Sequence, residues 1–353
     1  MWIMKRNYGI DLLRLVLMFM VVVLHVLGHG GVLSAAQPMS GQYITAWLME
    51  SLAIGAVNSY AIITGYVQYG RGPRLAPVIQ LWIQGLLYSL GIAVCLWVLK
   101  PQHFSLEGLL YFAMPVSNNR YWYLGCYIGL SVIMPFLNLA IDALDGARAK
   151  RMLAISLTFF SVVSSLGGKD SFGIESGYSV FWLACLYVLG ACIQKFGWFE
   201  NVKSGKAFVV YLIASLGCWV YVMVRDHVVS FVNLFLYTSP LVLLGSLALF
   251  HIFRSMRVSA SAAKWISAFS PAAFGVYLIH EHELIKDHVI TGTFSAFARF
   301  RIPFLILMVL VVAAVIFAVC LLLDLLRHKV FQCLKVKERL EALEHKLFPV
   351  AVE

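Results

Sequence analysis

Apolar residues run in blocks of about 17–25, the length a helix needs to cross a bilayer, and charged or Gly/Pro-bearing stretches separate them. The blocks fall at roughly 10–30, 44–68, 75–99, 121–141, 152–168, 178–196, 207–225, 231–253, 265–285 and 303–326. The pattern therefore predicts an all-α polytopic membrane protein with about ten transmembrane helices. An even count returns the C-terminus to the side of the N-terminus. A further apolar piece, 104–116, is too short to cross and reads as an interfacial or re-entrant segment.

The first block carries Asp11, Arg14, His25 and His29. Ionisable groups at membrane depth are costly, so they face a protein interior or a wet cavity and mark function. Arg14 and His25 are eleven residues apart, which at 100° per residue is about three turns plus 20°, with a rise of about 16 Å. Both lie on one helix face, and His29 follows one turn later. A structural reading is also open, with Arg14 and His25 as hydrogen-bond partners only and Asp11 pairing with Arg14 across three residues.

Composition agrees with the bundle and decides the topology. The 353 residues are 61% apolar and 12% charged, with mean hydropathy +0.85, which no soluble domain needs. The net charge of +10 points to topology instead of nucleic acid. Of the 27 Lys and Arg residues, 19 fall in the loops and tail of one side and 7 on the other. By the positive-inside rule both termini are cytoplasmic. Lys5–Arg6 and Ser34–Ala36 resemble parts of a signal peptide, but Arg14 interrupts the apolar core, so the first block is expected to be a retained helix. The seven cysteines form no CxxC pattern and read as packing residues.

Further candidates lie along the chain. The second block holds Glu50, Asn58, Ser59 and Thr64. Thr64-Gly65-Tyr66 suits a close helix contact, whereas Glu50, near the outer end, is a candidate partner for His25 or His29. Arg71-Gly72-Pro73-Arg74 follows at the cytoplasmic mouth. Its two arginines are either topological anchors or a guanidinium clamp for phosphates. Tyr121-Trp122-Tyr123 is either an aromatic belt or a platform that stacks on sugar rings. His280-Glu281-His282-Glu283 lacks the i, i+4 histidine pair of a zinc helix. It fits an outer-side proton-transfer or acceptor-binding cluster better, and no metal is expected. Residues 327–353 read as a basic amphipathic helix on the inner leaflet, separate from the membrane domain 1–326 and its chemistry.

Arg14, ten residues and then His25 resembles the pattern of the acyltransferase-3 family. So do NSYAIITGY in the second block, Arg71-x-x-Arg74, Tyr121-Trp122-Tyr123-Leu124 and Tyr277-Leu278-Ile279-His280. Together these cover essentially the whole chain. Thr64 stands where a serine is more usual, and no esterase-like domain follows the spans. The resemblance implies a plasma-membrane enzyme that takes an acyl group, commonly acetyl, from cytoplasmic acetyl-CoA to a hydroxyl of a cell-surface polysaccharide or lipid-linked glycan. Arg14, Arg71 and Arg74 would hold the CoA phosphates. His25 would act as general base or acyl carrier with Glu50 orienting it. Tyr121, Trp122, Tyr123 and His280 would meet the acceptor. Two other classes remain: a permease-like domain supplying a small solute such as an amino acid to the outer face, and a purely structural subunit.

Overall fold

A computed structural model describes residues 6–72, 74–99, 105–167, 170, 172–225 and 232–348. Pro73, Lys100 and Lys169 lie outside the described residues. The helices in order are α1 (Tyr8–Leu27), α2 (Val32–Ala35), α3 (Gly41–Ala53), α4 (Ala56–Gln68), α5 (Leu75–Leu99), α6 (Leu106–Phe112), α7 (Trp122–Asp142), α8 (Gly146–Leu157), α9 (Val180–Phe196), α10 (Ser204–Val224), α11 (Pro240–Arg254), α12 (Ala260–Phe269), α13 (Ala273–His280), α14 (Glu283–Ile285), α15 (Ile302–Cys333) and α16 (Val336–Leu347). Among the described residues there is no strand.

Seven helical stretches are long and apolar enough to cross a membrane: Tyr8–Ala35, Gly41–Gln68, Leu75–Leu99, Trp122–Asp142, Ser204–Val224, Ala260–His280 and Ile302–Cys333. The shorter apolar helices Val180–Phe196 and Pro240–Arg254 stand at the sixth and eighth expected spans. At the fifth, α8 runs into a π-helical stretch, Thr158–Val163.

α1 is the central helix. Asn7 caps it, its side chain accepting from the Gly9 and Ile10 amides. The helix packs against α3, α4, α11, α12, α13 and α15, and Leu13, Leu17, Val22, Val26 and Leu27 are fully enclosed. The outer helices present the opposite pattern. Phe136 on α7, Ile213 on α10 and Leu326 on α15 are exposed, a distribution suited to lipid and unsuited to water.

Two expected spans are broken, each for a local reason. Gly41–Gln68 divides at Ile54–Gly55, and the hydroxyls of Ser59 and Ser246 each donate to the Gly55 carbonyl at 2.9 Å. The Gly55 carbonyl also accepts from the Ser59 amide at 3.1 Å. The Leu52 carbonyl just before the break accepts from the Tyr211 hydroxyl at 2.7 Å, a side-chain partner of the kind an interrupted helix in a bundle needs. The ninth span divides at Ser270–Ala272, where Pro271 sits between α12 and α13. The contact expected at Thr64-Gly65 is present: a side chain on Gly65 would collide with the Tyr187 carbonyl, and one on Gly190 with that of Ile62. Glycine at both positions lets α4 and α9 touch backbone to backbone.

The C-terminal end departs from expectation. α15 continues through Cys333, so residues 327–333 belong to the long helix and not to a separate tail. Arg327 is buried there against Asp324, its Nε donating at 3.0 Å and its Nη2 at 2.5 Å. Asp324 also accepts from Gln84 at 3.1 Å and Tyr88 at 2.7 Å on α5. α16 then folds back onto α5. Its Glu341 pairs with Arg74, and Glu344 accepts from the Leu75 amide and, at 3.2 Å, from that of Ala76. Carboxylates at the start of α5 complement the positive end of that helix.

Because Asp324→Ala strands the buried Arg327 guanidinium, it is expected to cost about 3–5 kcal/mol. Thermal unfolding in detergent measures this, and an unchanged midpoint would remove the ion pair from the account of stability.

Candidate active site

α1 arranges its polar residues along one side, as the spacing requires. At its N-terminal end, buried Asp11 accepts from Arg6 Nε at 2.6 Å and Arg14 Nη1 at 2.7 Å. The Arg14 carbonyl receives the Tyr60 hydroxyl from α4. Arg14 is about one-third exposed and borders a cavity of about 430 Å³ that also reaches Arg6, Gln68 and Arg71. A neighbouring cavity of about 330 Å³ shares the Gln68 and Arg71 walls and adds Arg74, Tyr127 and Tyr187. Both arginines of the basic turn therefore border open cavities on the Arg14 side, although Arg74 is already engaged by Glu341.

The space continues along α1. A cavity of about 200 Å³ lies between Arg14, Tyr60, Thr64, Tyr123, Tyr127 and Phe274. It shares Tyr60, Tyr123 and Phe274 with a small chamber of about 40 Å³, whose wall includes His25, Trp122, Tyr237 and Tyr277. Beyond His25 comes a cavity of about 300 Å³ bordered by His29, Glu50, Ser176, Tyr178 and Tyr237. His25 belongs to the walls of both the small chamber and this last cavity.

The orientation of His25 is set from α13. His280 Nδ1 lies 2.5 Å from the Val276 carbonyl, and a carbonyl only accepts, so the hydrogen is on Nδ1. In neutral His280, Nε2 is then an acceptor, and it lies 2.8 Å from His25 Nδ1. His25 Nδ1 therefore donates, which leaves His25 Nε2 with the lone pair. A Val276–His280–His25 chain thus prepares the imidazole as a base. The Glu281 carboxylate stands beside it, Oε2 at 3.1 Å from His25 Nδ1 and 3.8 Å from His29 Nε2. Its Oε1 lies 3.4 Å from Lys286 Nζ.

Several expected roles change. Glu50 borders the cavity beyond His25, and its Oε2 is buried without a hydrogen-bond partner. The carboxylate that reaches His25 is Glu281, because the break at Gly55 and the end of α13 decide which acid approaches α1. His280, expected at the acceptor, is almost fully buried and turned onto His25. Of the aromatic trio, Trp122 and Tyr123 border the His25 chamber, whereas Tyr121 packs edge-on against Tyr277 and His282. Tyr121 is 2% exposed and Tyr123 8%, so these two rings are core and not a surface belt. Trp122 instead stacks near Tyr237 and Tyr178.

The sequence places Glu281 in a candidate polar cluster without assigning it to His25, and it gives Asp324 no role in the core. Glu281 had a signal in its place beside His280 at the end of a span. For Asp324 the signal was an opposite charge three residues before Arg327 on an apolar helix.

A bundle of apolar helices around a paired imidazole defines an integral membrane protein with a histidine-centred polar site. Residues 7–324 match the model of the acyltransferase-3 family, described as an acyltransferase domain, and the chain belongs to that family. It is a multi-pass membrane acyltransferase. No curated protein and no solved structure matches the chain.

His280→Leu keeps the volume but removes the acceptor for His25 Nδ1. It is expected to lower kcat for acyl transfer by about tenfold or more with little change in KM. His280→Gln, which restores an acceptor oxygen, should recover part of the rate. Equal rates for the two variants would show that His280 only fills space.

Proposed function

We propose that the protein transfers an acetyl group from cytoplasmic acetyl-CoA to a hydroxyl of an extracytoplasmic cell-surface glycan. In this reading the chain sits in the plasma membrane with ten spans and both termini in the cytoplasm. The observation that carries it is the row of cavities along α1, with arginines at one end and His25 between the small chamber and the far cavity. The rise from Arg14 to His25, about 16 Å, is comparable with the length of a pantetheine arm.

Arg71 and Arg14 supply charge for the CoA phosphates, which planar guanidinium forks bind bidentately. Arg74 joins them once Glu341 yields it. The thioester then lies in the small chamber beside His25 Nε2. An acceptor hydroxyl enters from the outer cavity, past Trp122, Tyr178 and Tyr237. His25 Nε2 takes the hydroxyl proton as the oxygen attacks the thioester carbon. The carbon–sulfur bond breaks, the ester forms, and the proton passes from His25 to the departing CoA thiolate. His280 holds the ring in the tautomer this requires, and the imidazolium formed in passing lies beside Glu281.

Loss of the base predicts that His25→Ala reduces acetyl transfer about 10²–10⁴-fold while the protein remains folded in the membrane. Mass spectrometry of surface glycan measures it, and wild-type acetylation would refute the role. Removing a charged hydrogen-bond partner from CoA predicts that Arg71→Ala raises KM for acetyl-CoA about tenfold or more, with kcat nearly unchanged. Vesicles given labelled acetyl-CoA separate this function from a permease: label on the acceptor without net solute flux supports transfer, and solute flux independent of CoA supports a carrier.

A further inference from the structure

The polar cluster at the outer end of α1 has more donors than general-base chemistry uses. His25, His280 and Glu281 offer one ligand atom each, all within 4.8 Å of one another. His25 Nδ1 lies 2.8 Å from His280 Nε2 and 3.1 Å from Glu281 Oε2. A fourth donor, His29 Nε2, lies 3.8 Å from the same carboxylate oxygen. Glu281 Oε2 is buried yet completes no hydrogen bond, an expensive state for a carboxylate oxygen.

We propose that these four residues form a site for a divalent transition cation of the zinc type, and that its occupation switches the enzyme off. A tetrahedral centre with zinc–ligand bonds of 2.0–2.1 Å places its donors about 3.3 Å apart. Three of the six donor separations, 2.8, 3.1 and 3.8 Å, scatter around that value. The ligand atoms of His25, His280 and Glu281 all lie within 4.8 Å, so closing on an ion draws the donors in by small side-chain shifts. Three imidazoles and one carboxylate select zinc, cobalt or copper over magnesium and calcium, which want oxygen. The supporting contacts are also of the kind metal ligands have. His280 already donates Nδ1–H to the Val276 carbonyl, leaving Nε2 for the ion, and Lys286 lies near the other Glu281 oxygen. Such outer partners fix tautomer and direction.

The sequence hid this site because the pair His280 and His282 has the wrong spacing for zinc. His282 indeed turns away, its Nε2 lying 3.0 Å from the Ser89 carbonyl, and α1 provides the missing histidines.

Inhibition follows from the tautomer. The ion takes the Nδ1 position of His25, and the hydrogen held there moves to Nε2. Nε2 then donates and cannot accept the acceptor's proton. This consequence rests on the role proposed for His25, whereas the binding itself does not.

The test uses the purified full chain in detergent, titrated with Co²⁺ and read by visible absorption, with Zn²⁺ as competitor. The expected result is the strong absorption of four-coordinate Co²⁺ at one equivalent, abolished by Zn²⁺. His29→Gln and Glu281→Gln are each expected to weaken binding about tenfold or more relative to the four-ligand site. His29 is nearly half exposed, so its replacement leaves folding intact, and melting temperature checks both variants. A weak six-coordinate spectrum, or variants that bind like the wild type, overturns the site. In the wild type, acyl transfer should fall as Zn²⁺ fills the site and return with a chelator. Full activity with the site loaded overturns inhibition alone, and a tetrahedral spectrum in a protein without acyl transfer overturns the function and not the site.

Discussion

Polar groups inside an apolar bundle have no water to fall back on, so most of them take partners from the protein itself. That constraint organises this molecule. Asp11 is enclosed and holds Arg6 and Arg14. His25 is joined to His280 across 255 residues of sequence. Asp324 gathers Gln84, Tyr88 and Arg327 between α5 and α15. Where α3 gives way to α4, the hydroxyls of Ser59 and Ser246 join the Ser59 amide on the carbonyl of Gly55. Apolar packing between helices is weakly directional, since lipid competes on nearly equal terms. The polar links set the direction, and they fix how α1 stands against α13 and how α15 stands against α5.

The same constraint readies the base. In water the two tautomers of an imidazole exchange freely. Here Val276 commits His280, and His280 commits His25, so the free lone pair points away from α13. No carboxylate is needed to orient the ring, which leaves Glu281 to lie beside His25 without completing a hydrogen bond. A site that dictates tautomer by a backbone carbonyl depends on the helix carrying that carbonyl. The break at Ser270–Ala272 matters for this reason, since it makes α13 a short, separate segment that can be aimed at α1.

Periodicity carried a good part of this. The eleven-residue spacing of Arg14 and His25 put both on one face, and both border the cavities along α1. The i, i+3 relation of Asp11 and Arg14 is an ion pair, and Gly65 is a helix contact. Local rules reach that far because each concerns a single helix. They fail for partners that depend on how broken helices are aimed. Glu50 and Glu281 are both acids near the ends of helices, and nothing in their local sequence says which one meets His25. Tyr121, Trp122 and Tyr123 are three consecutive rings, so a helix must send them to different surroundings. Only Trp122 and Tyr123 border the chamber. The end of the long helix was misjudged differently: a basic run after an apolar block looks like a tail, yet Asp324 and the α5 side chains make Arg327 part of the core.

The sizes of the cavities bear on how such a site can work in a membrane. Space on the Arg14 side is ample, with cavities of about 330 and 430 Å³, and so is the outer cavity of about 300 Å³. Between them the chamber beside His25 is only about 40 Å³, room for about three water-sized groups. Its wall of Tyr60, Trp122, Tyr123, Tyr237, Phe274 and Tyr277 is aromatic, and none of these rings carries a formal charge. Hydrated ions cannot shed their water into such a space without large cost. A small neutral group suffers little there. The narrow point thus separates what should pass from what should not by charge and size together, and it lies where the imidazole is held.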